Sequence, residues 1–266
     1  MDLELTGKVA IVTGGSRGIG KAIARQLALE GASVALVARD VAALEATRGE
    51  LIGETDRPIL AVRADTTIDG DVHAMVDRVV AEYGRVDILV NAAAKPGGQA
   101  PPPALAEITE ALFLDDMQTK VMGYVRCAQA VAPHMIGRGW GRIVNISGLA
   151  ARSTGATIGS IRNVAVVALT KNLADELGPH GINVTVVHPG LTRTEKTAGV
   201  VAARAKAQGI GEDEVERRMA EQNTVRRIIA AGDVANVVAF LASPKSVAIN
   251  GDVIAAGGGI PRAIYY

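Results

Sequence analysis

The chain holds a single cysteine, Cys127, among its 266 residues. One thiol excludes an internal disulfide framework and fits a reducing compartment. Net charge is missing too, since 28 Lys and Arg face 28 Asp and Glu. Without a basic excess, nothing draws the chain onto nucleic acid or an anionic membrane surface. No apolar run reaches the ~20 residues that a bilayer span needs. The opening stretch Met1–Lys8 is polar and lacks the charged and apolar regions of a signal peptide. Four histidines, His73, His134, His180 and His188, are scattered without metal-ligand spacing, so no metal is expected. The expectation from these absences is a soluble, cytoplasmic protein. Apolar residues are not scarce: they make up 48%, enough for one sizeable α/β domain over residues 1–266.

Apolar, β-rich runs alternate with stretches of helical length. The runs are Lys8–Thr13, Ser33–Ala38, Ile59–Ala64, Val86–Asn91, Arg142–Ser147, Asn183–His188 and Asp252–Ala255. Helical periodicity marks Gly18–Glu30, Ile68–Tyr83, Asp115–Arg138 and Val164–Leu177. Near-continuous apolar strands separated by helices indicate a parallel sheet covered on both faces. The predicted fold is a three-layer, doubly wound Rossmann-type α/β fold with seven strands, its ligands at their carboxyl ends. Lys95–Pro103 reads as a loop. Leu191–Ala231, rich in charge and Ala, breaks the rhythm and reads as helices inserted as a lid.

The strongest local signal is Thr13-Gly14-Gly15-Ser16-Arg17-Gly18-Ile19-Gly20, between a strand and a helix. Glycines let the backbone approach a pyrophosphate, and the helix offers free N–H groups and its positive end. The T-G-x-x-x-G-x-G spacing resembles the short-chain dehydrogenase/reductase family. Further segments carry the resemblance over about Gly7–Gly259. Asp65-Thr66 stands where the family places an adenine contact. Asn91-Ala92-Ala93-Ala94 is similar to its N-N/A-A-G. Pro189-Gly190 and Thr194 stand where it holds the nicotinamide carboxamide. The resemblance thus implies cofactor contacts at Gly14, Ser16, Arg17, Gly18, Ile19, Gly20, Arg39, Asp65, Thr66, Asn91, Ala92, Ala93, Asn163, Pro189, Gly190 and Thr194. In NAD-binding relatives an acidic side chain ends the second strand and binds the ribose 2′-OH. Here that position is Ala38, Arg39 follows, and Arg17 offers a second guanidinium, which suits a 2′-phosphate. NADP(H) is favoured, with Asp40 leaving room for NAD(H).

Family members that interconvert ketones and alcohols use a Tyr, a Lys four residues later, a Ser about thirteen residues before the Tyr, and an Asn in a preceding helix. None of Tyr83, Tyr124, Tyr265 and Tyr266 is followed by Lys at that spacing. Counting from the strand before Ser147 puts the Ser on Gly148 and the Tyr and Lys on Ile161 and Ala165. Counting back from Lys171 puts the pair on Gly159 and Asn163, the preferred register, and the Asn position is Lys120. Catalytic candidates are therefore Lys120, Ser147 and Asn163, with Ser160 and Arg162 beside them. Asn163 would hydrogen-bond the ribose hydroxyls, and Lys120 would restore a cation from the other side. Tyr124, one turn after Lys120, is a substitute acid or a packed aromatic. His188 lies at a strand end near the cofactor pocket. Cys127 reads as core, and Glu212–Arg218 as a solvated helix face.

Three functions stay open. The first is an NADP(H)-dependent oxidoreductase on a small carbonyl or alcohol with a rearranged proton donor. The second is a non-redox lyase, dehydratase or isomerase. The third is a catalytically silent cofactor-binding protein. The resemblance also implies a homo-oligomer, dimer or tetramer, paired through Asp115–Arg138 and Val164–Leu177.

Overall fold

The computed structural model describes residues 1–94, 101–262 and 264. Seven parallel strands form the main sheet: β1 (Val9–Thr13), β2 (Ser33–Ala38), β3 (Ile59–Arg63), β4 (Ile88–Asn91), β5 (Gly141–Ile146), β6 (Ile182–Pro189) and β9 (Val253–Ala256). Between the last two lies a separate short pair, β7 (Thr192–Arg193) with β8 (Ile229–Ala230). The order across the main sheet is β3-β2-β1-β4-β5-β6-β9. The expected strands are all present, with ends moved by one or two residues, as ladder ends fray.

Strands β1, β5 and β6 are buried along their whole length, which explains their largely apolar character, with Arg142, Asn145, Asn183, Thr185 and His188 as buried polar exceptions. On one face α1 (Gly18–Leu29) and α9 (Ala231–Leu241) press Ile23, Leu27, Val238 and Leu241 against Leu36, Ile88, Val144 and Val187. On the other, α3 (Asp69–Tyr83), α5 (Gly123–Ile136) and α6 (Thr157–Leu177) press Val76, Val131 and Leu177 against Ile11, Leu89, Ile143 and Val184. Each such side chain contributes about 1.5–3 kcal/mol by leaving water. Cys127 is part of this second layer, fully buried.

Some helices differ from expectation. The periodic stretch 115–138 is longer and not uniform: α4 (Glu110–Met117) runs into a π turn, Gln118–Met122, before α5. Thr109 caps α4 by accepting from Leu112 N at 3.2 Å, so the helix starts before the apolar stripe does. Helix α6 likewise begins at Thr157, seven residues before the expected Val164, because its first turns face the site and not the core. Helix α2 (Val41–Thr55) had little periodic signal; its cap, Asp40, accepts from Ala43 N at 3.1 Å.

The inserted stretch after β7 holds α7 (Thr197–Gln208) and α8 (Glu212–Ala220) around Val201, Ala205, Val215 and Met219. The β7–β8 pair closes its base. Glu214 bonds Arg217 and Arg218 on the exposed face of α8. Of the loop Lys95–Pro103, residues 95–100 lie outside the described residues. Among the described residues no helix is long and apolar enough to cross a membrane, and no group of His, Cys, Asp or Glu could hold a metal ion.

Candidate active site

Strand order reverses between β1 and β4, and the crevice of a doubly wound sheet opens there, beyond the strand ends. Thr13 and Asn91 end those two strands opposite one another. Thr13 Oγ1 accepts from Ala92 N at 3.1 Å and Ala93 N at 3.2 Å, tying the two loops together. The approach is so close that a Cβ at Gly14 would lie 2.9 Å from Ala92 O, and one at Gly20 only 2.2 Å from Gly14 O. Gly14 and Gly18 also have positive φ, 68° and 58°. Thr47 Oγ1 donates to Ser16 O at 2.9 Å and steadies the loop from α2.

The loop ends at the N-terminus of α1, whose first N–H groups have no partners within the helix. One of them, Gly18 N, donates to the carboxylate of Glu195 at 3.2 Å. An anion from the inserted segment thus already sits where the helix end attracts one. Arg17 and Arg39 are exposed near this loop and at the end of β2. Arg39 lies 3.7 Å from the Asp65 carboxylate, whose other oxygen accepts from Thr67 N and Oγ1.

A second cluster gathers where β5 ends. Lys120, carried inward by the π turn, is 3% exposed. Its Nζ donates to Ser147 O and to Asn163 Oδ1, both at 2.9 Å. Ser147 Oγ donates to the main-chain carbonyl of Asn163 at 3.0 Å. Burial, then the Arg162 charge, pulls the Lys120 ammonium down to about 7, with Asp116 opposing. Arg162 Nη1 holds both Asp116 oxygens, at 2.6 and 2.8 Å, and so ties α6 to α4.

His188, near the end of β6, is buried, and its Nδ1 accepts from Gly148 N at 3.3 Å. Burial and the charges of Arg152 and Lys120 push its pKa down to about 4, so the ring is neutral at pH 7. Tyr124 turns away: its hydroxyl donates to Ile146 O at 2.9 Å and is fully buried, which pushes its pKa up. Gly190 and Gly257 meet so closely that a Cβ on Gly190 would lie 2.8 Å from Gly257 Cα.

A family model described as short chain dehydrogenase matches residues 8–205. The chain belongs to the short-chain dehydrogenase family. The short-chain reductase protein NovJ of Streptomyces niveus is 34% identical, over 95% of this chain and 94% of its own. The solved L-sorbose reductase from Gluconobacter frateurii, complexed with NADPH and L-sorbose, matches with TM-score 0.92 at 29% identity, over 99% of this chain and 100% of that one. A 7α-hydroxysteroid dehydrogenase complexed with NADH and 7-oxo glycochenodeoxycholic acid matches with TM-score 0.85 at 30% identity, over 99% and 98%.

In this short-chain dehydrogenase, two groups of residues singled out from sequence come together. Gly14, Ser16, Arg17, Gly18, Ile19 and Gly20 share one loop and helix end, with Ala92, Ala93 and Thr194 beside it. Lys120, Ser147 and Asn163 meet through direct hydrogen bonds. Ser160 does not join them, since its Oγ donates to Ser153 O. Asn91 turns its amide nitrogen into the sheet, onto Asn145 Oδ1 at 2.9 Å. Sequence reasoning missed Asp116 as the partner of Arg162, and Glu195 at the helix end. Asp116 had a findable signal, an acid one helical turn before Lys120. Glu195 had none, because a contact across 177 residues leaves no local pattern.

Proposed function

We propose that the protein is an NADP(H)-dependent oxidoreductase acting on a small carbonyl or alcohol, with a non-standard catalytic site built on Lys120, Ser147 and Asn163. The observation that carries this is the buried Lys120 ammonium, 2.9 Å from Asn163 Oδ1 and from Ser147 O at the carboxyl end of β5. It supports the register in which the family's lysine position falls on Asn163, with its cation now arriving from Lys120.

The first loop fits a dinucleotide. Gly14, Gly15 and Gly20 have no room for a side chain, and the helix end already attracts a carboxylate. Residues 14, 16–20, 65–66, 91–93, 189–190 and 194 would line the cofactor. Arg39 and Arg17 would meet a ribose 2′-phosphate, as suits the NADPH of the L-sorbose reductase. Asp40 is engaged as the cap of α2, which favours NADP(H) over NAD(H). When bound, the cofactor supplies or takes up hydride. The carbonyl oxygen must gain a proton as the alcohol forms, and Lys120 is the group that holds one near neutral pH. Ser147 positions it, its carbonyl accepting from Nζ while its hydroxyl fixes Asn163. Residues 191–231 would close over the substrate as a lid.

The test is absorbance at the reduced-nicotinamide band with NADPH and a panel of short aliphatic and aromatic aldehydes and ketones. Turnover that is lost in Lys120→Met supports the proposal. A second reading, cofactor binding without turnover, is favoured by one observation: neither Tyr83 nor Tyr124, the tyrosines among the described residues, offers a hydroxyl to this cluster. Tight NADPH binding with no turnover across the panel would leave that reading standing. Product without net cofactor oxidation would point to lyase, dehydratase or isomerase chemistry. Exposed Leu112, Met122, Ile161 and Val164 on α4, the π turn and α6 would serve the homo-oligomer that the family resemblance implies.

A further inference from the structure

We infer that the side-chain amide nitrogen of Asn163 is the donor that takes up the substrate's carbonyl oxygen, in space left open by Gly148. The inference rests on the oxidoreductase reading and reassigns Asn163 from the cofactor's ribose to the substrate.

The orientation of this amide is chemically determined. As an ammonium, Lys120 Nζ has only donors to offer, so the atom it meets at 2.9 Å is Oδ1. The amide nitrogen is thereby turned to the opposite side, toward Gly148. A Cβ built on Gly148 would lie 3.1 Å from Asn163 Nδ2, nearer than the 3.8 Å to Oδ1. Any side chain at residue 148 would crowd this N–H. Glycine leaves its approach open at the carboxyl end of β5, where ligands of such sheets sit.

The amide is also held still and strengthened. Ser147 Oγ fixes the Asn163 main chain at 3.0 Å, and His188 Nδ1 holds Gly148 N at 3.3 Å. An ammonium donating to Oδ1 draws electron density from the amide and makes its N–H a better donor, as in any polarised hydrogen-bond chain. A fixed, polarised donor needs no reorganisation as negative charge grows on oxygen, which is what an oxyanion-binding group requires.

The test compares wild type with Asn163→Asp and Gly148→Ala. Aspartate keeps an oxygen for Lys120 and removes the N–H. The expected result is a fall of about 10²–10³-fold in kcat/KM for carbonyl reduction, with the NADPH Kd changed less than ~3-fold. Gly148→Ala should raise the carbonyl KM at least ~10-fold while NADPH still binds. A Kd that weakens as much as kcat/KM falls would assign Asn163 to the ribose and overturn the inference, as would wild-type kinetics in either variant. A readout independent of turnover uses ¹⁵N-labelled wild type with NADP⁺ and each ketone of the panel. The Asn163 side-chain NH₂ signals, identified by their loss in Asn163→Asp, should move when ketone is added. Movement without turnover would sink the oxidoreductase reading and leave this inference intact. No movement with any ketone would sink the inference.

Discussion

Replacing Lys120 with Met should stabilise the protein in weak acid and not in alkali. The pKa of this lysine falls from 10.5 in the open chain to about 7 in the fold. Between those values the unfolded chain binds the extra proton, so stability rises with pH across that window. Its contribution is complete above 10.5 and is lost as pH falls to 7. At about 1.36 kcal/mol per pH unit, burying this lysine costs ~5 kcal/mol at pH 6, where the fold holds it as ammonium, and ~2 kcal/mol at pH 9, where it must first give up its proton. Met fills much the same volume without charge. It also leaves Ser147 O and Asn163 Oδ1 without their donor, at ~1–2 kcal/mol each and at every pH. The net change at pH 6 is therefore a gain of ~1–3 kcal/mol, and at pH 9 a loss of ~0–2 kcal/mol. Denaturant unfolding of both proteins at the two pH values measures it, with every other titrating group common to both. The decisive quantity is the swing of ~3 kcal/mol between the two differences. Were the difference the same at both pH values to within ~1 kcal/mol, Lys120 would carry an ordinary, solvated charge and would not serve as a proton source poised near neutrality.

Arg39→Ala should weaken NADPH binding by ~10–100-fold and leave NADH within ~3-fold, since a charge-assisted bond to the 2′-phosphate is worth ~1.5–3 kcal/mol; equal losses for both cofactors by titration calorimetry would refute the 2′-phosphate role. Glu195→Gln should tighten NADPH by ~3–10-fold, because the carboxylate on Gly18 N occupies the same helix end and repels a diphosphate; unchanged or weaker binding would count against competition at that amide. His188, held down to about 4, stays neutral in the fold while the unfolded chain takes up a proton below its usual 6.5. Its contribution to stability is full above 6.5 and is lost as pH falls toward 4, so His188→Gln should flatten the acid limb by ~2 kcal/mol between pH 7 and 5, as read by denaturant unfolding.

The layers of the fold were legible because burial leaves a period. Strands such as Val9–Thr13, covered on both faces, read as near-continuous apolar runs. The glycine loop was legible for a different reason: Gly14 and Gly20 stand where a Cβ would collide with backbone, so the constraint falls on single residues. Helix starts were less visible. Thr157–Asn163 opens α6 over the site, and residues chosen to face a site carry no core stripe. The π turn at Gln118–Met122 was invisible, since one extra residue per turn changes the phase of the apolar pattern without breaking it. That phase change decides the site: it takes Lys120, expected to restore a cation from the other side, and buries it against Asn163.

The pairing of Lys120 with Asn163 also shows how a site without the family's Tyr and Lys holds a buried amine. A lysine buried only for packing would be replaced by an apolar residue at a gain in stability, as ammonium burial is costly unless it serves something. Here the cost is maintained by geometry that has no packing purpose. A widened turn delivers the charge, Ser147 offers a main-chain carbonyl to receive it, and Asp116 engages the neighbouring Arg162 guanidinium. The two helical segments meet at the site, with the amine entering from the π turn before α5 and the amide from α6. The burial of the Lys120 amine between Ser147 O and Asn163 Oδ1 is the feature that any account of this protein's chemistry has to explain.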